Sequence, residues 1–144
     1  MKIICMISLI AIPALSWANV DTGCAKVGAS VYLDLADAIV HDLHIDRTTL
    51  HEKKTTVEVL DIFPVSKLFA EQMADTDYNK QTGLKLKKED FFESYYTNGA
   101  KSITAKYTFT NKKGQRNVFI VSSLQNNDEC SIRLNGYLTL SREF

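Results

Sequence analysis

The sequence predicts an α+β domain, with an N-terminal helix and one or two short helices packed on an antiparallel β-meander and a single disulfide closing the whole. Three observations carry that prediction. Apolar residues recur at helical spacing over residues 30–45, and apolar and polar residues alternate over the last third of the chain. Two cysteines, Cys24 and Cys130, lie beyond a leading segment that reads as an export signal.

That leading segment has the three parts of a secretory signal. Lys2 supplies the positive start, residues 3–15 carry no charge, and Ser16-Trp17-Ala18 places small residues where signal peptidase needs them. A helix over residues 3–15 would rise only about 20 Å, short of the ~30 Å hydrocarbon core, so a membrane anchor does not fit. Cys24 follows Asp21-Thr22-Gly23 well past the apolar run, so lipoprotein processing does not fit either. Residues 1–18 are therefore expected to leave as a signal peptide, taking Cys5 with them. Residues 19–144 remain as one small domain with no membrane span.

In that domain sixteen Lys and Arg face seventeen Asp and Glu, a net charge near −1. Such a balance creates no global field for phosphate backbones, and no nucleic-acid partner is expected. Cys24 and Cys130 are the two thiols left, and in an oxidising compartment they are expected to pair. The eight Asn of residues 19–144 include no Asn-x-Ser/Thr acceptor, which with the short signal favours a bacterial periplasmic or secreted protein.

The elements follow in order. Over residues 30–45, Val31, Leu35, Ala38, Ile39 and Leu43 form the apolar stripe, with Asp34, Asp37 and Asp42 off it, Gly28 as the break before the helix and Ser30 as its N-cap. Residues 55–62 read as a strand with Val57 and Val59 on one face. Pro64 suits the first turn of a helix, where Val65, Leu68, Phe69, Gln72 and Met73 trace a face as far as Ala74. Residues 75–83 read as a polar loop. Residues 88–97 form a short helix with Phe91, Phe92, Tyr95 and Tyr96 as its aromatic face, stopped by Asn98-Gly99. Ile103, Ala105, Tyr107 and Phe109 then alternate with Thr104, Lys106, Thr108 and Thr110, residues 111–114 turn, and residues 118–124 return. From Cys130 the alternation resumes through Ile132, Leu134, Gly136, Leu138 and Leu140. Asn135-Gly136 has hairpin chemistry, but an uninterrupted strand with a bulge at Gly136 keeps that set on one face. Helices on one face of an antiparallel sheet is the expected packing.

Candidate chemistry is sparse. His41, Asp42, His44, Asp46 and His51 form the densest polar cluster. His41 and His44 at i, i+3 on a helix are weak metal candidates, since the zinc-protease spacing is four with a Glu beside the first His. The run from Asp75 to Asn79 imitates a calcium loop, yet Lys80 and Leu86 stand where Gly and Glu are required. No Gly-x-Ser-x-Gly elbow is present, and Glu89-Asp90 and Asp128-Glu129 read as loop or cap residues. No catalytic residue and no cofactor is assigned. Phe91, Tyr95 and Tyr96 are the partner-binding candidates, because four aromatics exceed the one stripe a short helix buries and Tyr at a rim suits recognition.

The order of signal, early cysteine, helix, antiparallel strands and late cysteine on a strand resembles small exported enterobacterial proteins of the colicin M immunity group. The likeness is one of arrangement and carries no residue over. The reading that results is a small exported protein-binding domain, such as an inhibitor or immunity protein neutralising a toxin or hydrolase in the periplasm. The alternatives are a metal-dependent or hydrolytic periplasmic enzyme using the His41/His44 region, and an accessory component of an envelope or secretion assembly.

Overall fold

The computed structural model of the chain describes residues 23–83 and 85–144; the expected signal segment and the expected cleavage after Ala18 lie outside them. A 3-10 turn at Gly23–Ala25 leads to α1 (Ser30–Leu43), and two more 3-10 turns lead to strand β1 (Thr56–Pro64). Next come α2 (Lys67–Lys80) and α3 (Lys88–Phe92), the latter running into a π-type turn at Glu93–Thr97. Strands β2 (Lys101–Thr110), β3 (Arg116–Gln125) and β4 (Arg133–Ser141) complete an antiparallel sheet in the order β1-β2-β3-β4. The α+β meander is as the sequence predicts, and Cys24–Cys130 closes it with Cα atoms 5.2 Å apart. Among the described residues no helix is long and apolar enough to cross a membrane.

Helix α1 buries Val31, Tyr32, Leu35, Ala36 and Ile39 against Ile103, Ala105, Tyr107 and Phe109 of β2 and Phe119 and Val121 of β3. Aromatic rings run through this core in contact, Tyr32 to Tyr107 at 6.0 Å, Phe109 to Phe119 at 5.9 Å and Phe119 to Tyr137 at 5.8 Å. Ser30 is not the N-cap: Ala29 holds that place without a side-chain bond, and Ser30 is the first helical residue. The helix also stops short of residue 45. His44 takes the left-handed conformation at φ 54°, the usual way a helix is ended, and this turns Ile45 into the core. Asp46 then caps the next turn by accepting from the Thr48 amide and hydroxyl, which hold its carboxyl below the ordinary value.

Three further expectations are corrected. Pro64 closes β1, paired with Lys101 on an edge strand where its missing N–H costs nothing, and Ser66 caps α2 through the Phe69 amide at 3.2 Å. Residues 75–80 are not loop but the last turns of α2. Their acidic side chains find distant partners, Asp75 in Lys88 and Asp77 in Arg133. The buried positions of α2 are Ala70 and Ala74, while Leu68 is 66% exposed.

The helices also do not share a face. Paired residues of an antiparallel ladder point the same way, so Phe119, Val121 and Ser123 line the α1 side and Val118, Ile120, Ser122 and Leu124 the other. Leu124 belongs to a second core with Val65, Ala70, Ala74, Tyr95 and Ala100, so α2 and α3 pack on the side opposite α1.

Strand β4 is uninterrupted, and its register shifts between Ser122↔Gly136 and Ser123↔Leu134, leaving Asn135 as the extra residue. One extra residue inverts the alternation. Leu134 faces the main core, but beyond the bulge Tyr137 takes that side and Leu138 turns outward, so the single apolar face expected from Ile132 to Leu140 does not form. The segment after β4 is fastened by Asn117, fully buried. Its Oδ1 accepts from the Glu143 and Phe144 amides and its Nδ2 donates to Phe144 O.

Candidate functional site

The aromatic cluster divides once its environment is known. Tyr95 is 5% exposed, and its hydroxyl donates to Asp77 Oδ2 at 2.8 Å, so it is not available as a contact residue. Phe91 packs on Tyr95 and is half-buried in the second core, whereas Tyr96, 41% exposed, stacks on Phe92 with centroids 5.4 Å apart. Arg133 grips the same Asp77 through Nε and Nη2 at 2.6 and 3.3 Å and donates to Asn135 Oδ1 at 2.9 Å. This network joins α2, the π-type turn and β4, and it explains why Tyr95 stays inside.

Burial alone would raise the Asp77 carboxyl. The Arg133 and Tyr95 hydrogen bonds and the Arg133 charge outweigh it, and the net shift is downward. Burial, then Asp77, pushes the Tyr95 phenol well above its ordinary range. Because the Asp77 carboxyl is depressed in the folded state, the unfolded chain binds the proton more readily. The stabilisation is full above the ordinary aspartate pKa and is lost as pH falls through the lower folded value. Melting temperatures measured across the acid range should therefore fall less steeply for Asp77→Asn than for the parent. At neutral pH the variant should lose on the order of 1–2 kcal/mol, because the pair is only partly screened from water.

The histidines do not share a helical face, because α1 ends at Leu43 and His44 is the left-handed cap. The His41 side chain is 88% exposed, and its Nδ1 lies 2.8 Å from Asp42 Oδ1. Asp42 is held below its ordinary value first by His41 and then by the Tyr137 hydroxyl. Among the described residues no group of three or more His, Cys, Asp or Glu is gathered to hold a metal.

A polar knot that sequence reasoning missed lies beside the disulfide. Ser131, at φ 53° directly after Cys130, donates to Asp34 and lies 2.8 Å from Ser123 Oγ. Asp34, expected as a solvated residue off the α1 stripe, is thus tied to the turn that carries Cys130. The signal was hidden because the two residues are 97 positions apart.

The open half of the outer sheet face was also missed. Ile120 and Leu138 sit opposite each other on β3 and β4, with Val118 two residues along from Ile120. Leu138 is 60% exposed, and the second core takes none of these three. Lys106 and Glu58, paired across β2 and β1, extend the same row. Thr104 and Ser122 form the next one. The result is a flat surface with an apolar centre and a rim of hydroxyls and one ion pair. It suits contact with another protein surface and offers no convergent set of acid, base and nucleophile.

Comparisons with family models, with curated proteins and with solved structures found no match.

Proposed function

We propose that the chain is an exported protein-binding domain, acting as an inhibitor or immunity protein does on a toxin or hydrolase, and that it binds through the open outer face of its sheet. The observation that carries this reading is Leu138, a large apolar side chain left 60% exposed on β4 beside its half-buried cross-strand partner Ile120. Exposed apolar residues scattered singly are ordinary; Leu138 instead shares its sheet face with the half-buried Ile120 and Val118, so the apolar surface there is contiguous. A sheet presents such a patch without mobile side-chain supports, which lowers the ordering cost of binding. The disulfide supports an oxidising location, since it would not persist against cytosolic thiols.

The test is capture of a partner from envelope extract on the immobilised protein. Leu138→Asp should weaken capture by ~2 kcal/mol or more, as a central contact does. Its thermal melt should stay within ~0.5 kcal/mol of the parent, because the side chain packs little in the free domain. The double variant His41→Ala/His44→Ala should bind as the parent does. Loss of activity in the histidine variant with full capture by Leu138→Asp would sink the proposal and favour the enzyme alternative.

A further inference from the structure

The tip of the sheet beyond Val118 concentrates positive charge. Lys112 and Lys113 stand on the turn between β2 and β3, and Lys53 and Lys54 both stand on the 3-10 turn at Glu52–Lys54 that leads into β1. The two segments face each other across clefts that share His51 and Lys112. One cleft, about 340 Å³, also takes in Lys113, Thr48 and Thr49, and the other, about 500 Å³, takes in Lys53 and Lys54. All four lysines are exposed, and among the described residues none is in an ion pair. Of the nearby carboxylates, Asp37 is paired with Arg47, Asp46 accepts from the Thr48 amide and hydroxyl, Glu143 accepts from the Arg116 amide, and Glu52 is exposed without an ion pair among the described residues.

This concentration occurs in a chain with seventeen basic and seventeen acidic residues, so the acid lies elsewhere. Helix α1 carries Asp34 and Asp42, tied to Ser131 and Tyr137, with no Lys or Arg. A basic tip thus borders the open face. Arg116, exposed at the start of β3, lies two residues from Val118 on that same face.

We propose that this basic tip docks an acidic segment of the protein that the open face binds, so that apolar contact at Ile120 and Leu138 is oriented by charge at Lys53, Lys54, Lys112 and Lys113. The inference rests on the protein-binding reading and names the chemistry of the partner. An acidic polypeptide fits better than a lipid surface because none of the large exposed apolar residues falls within residues 47–54 or 111–116, so nothing at the tip would enter a bilayer. Charge at a rim of this kind acts mainly by steering and orienting the encounter, with strong dependence on salt.

Decaglutamate titrated into the isotope-labelled protein is the test. Its amide shifts should map to residues 47–54 and 111–116, and added salt should weaken them. Lys112→Glu/Lys113→Glu should weaken binding by about tenfold with an unchanged melt. If that melt does shift, Lys53→Glu/Lys54→Glu on the other wall should give the same loss. Shifts elsewhere on the surface, or equal binding by both variants, would overturn the proposal. So would co-sedimentation of the parent, but not of the lysine variants, with phosphatidylglycerol vesicles, since the occupant would then be a membrane. Decaglutamate binding at the tip with undiminished partner capture by Leu138→Asp would support the tip while removing the open-face reading.

Discussion

Tyr107→Ala should be the most damaging single substitution in the molecule, costing about 3–5 kcal/mol, the usual price of emptying a buried aromatic site. Tyr107 is fully buried on the middle of β2, against Tyr32 at 6.0 Å and Phe109 at 6.3 Å. Its hydroxyl donates to the Ala25 carbonyl, 82 residues away, and so pins the turn next to Cys24 to the sheet. The two parts of its role can be separated. Tyr107→Phe keeps the packing and leaves a buried carbonyl without its donor, for which about 1–3 kcal/mol is expected. Urea unfolding of the two variants should rank them in that order. A Tyr107→Phe variant as unstable as Tyr107→Ala would mean that the hydroxyl, not the ring, dominates.

Loss of the disulfide should come next, at about 2–5 kcal/mol and a fall in melting temperature on the order of 10–20 °C. Cys24–Cys130 spans 106 residues and joins the N-terminal turn to the start of the last strand. A loop of that length lies near the upper end of the chain-entropy expectation, close to 5 kcal/mol. Without the bond, Tyr107 still ties the Cys24 turn to β2 and Ser131 still ties the Cys130 turn to α1, so the Cys24→Ser variant should still fold at low temperature. Calorimetry of Cys24→Ser, Cys130→Ser and the reduced parent should give three similar losses. Losses under 1 kcal/mol would mean that the reduced unfolded chain keeps residual structure that holds these ends close.

These two expectations use parts of the fold that were legible from local pattern. Ile103 to Phe109 alternate because one face of β2 meets α1, and any window of eight residues reveals it. The cysteine pair was legible by elimination, once Cys5 was assigned to the expected signal segment. What could not be read depends on partners far along the chain. Residues 75–80 look like a loop until Lys88 and Arg133 are placed beside Asp75 and Asp77, after which they extend α2. Tyr95 looks like a rim residue until the same Asp77 draws its hydroxyl inward. The candidate site was lost in a single residue. A bulge was expected at Gly136 with one apolar face kept throughout, but the extra residue is Asn135, and it inverts the alternation beyond it and turns Leu138 from core to surface.

Two surfaces follow from that geometry, an apolar row on the open sheet and a cationic tip at its end, and both point toward a protein partner with an acidic patch beside an apolar one. The most direct test is a photo-crosslinking residue placed at position 138 in the producing cell, with position 33 on exposed α1 surface as the control. The account predicts one heavier adduct from position 138 and none from position 33. No adduct at position 138, or equal adducts at both, would contradict it.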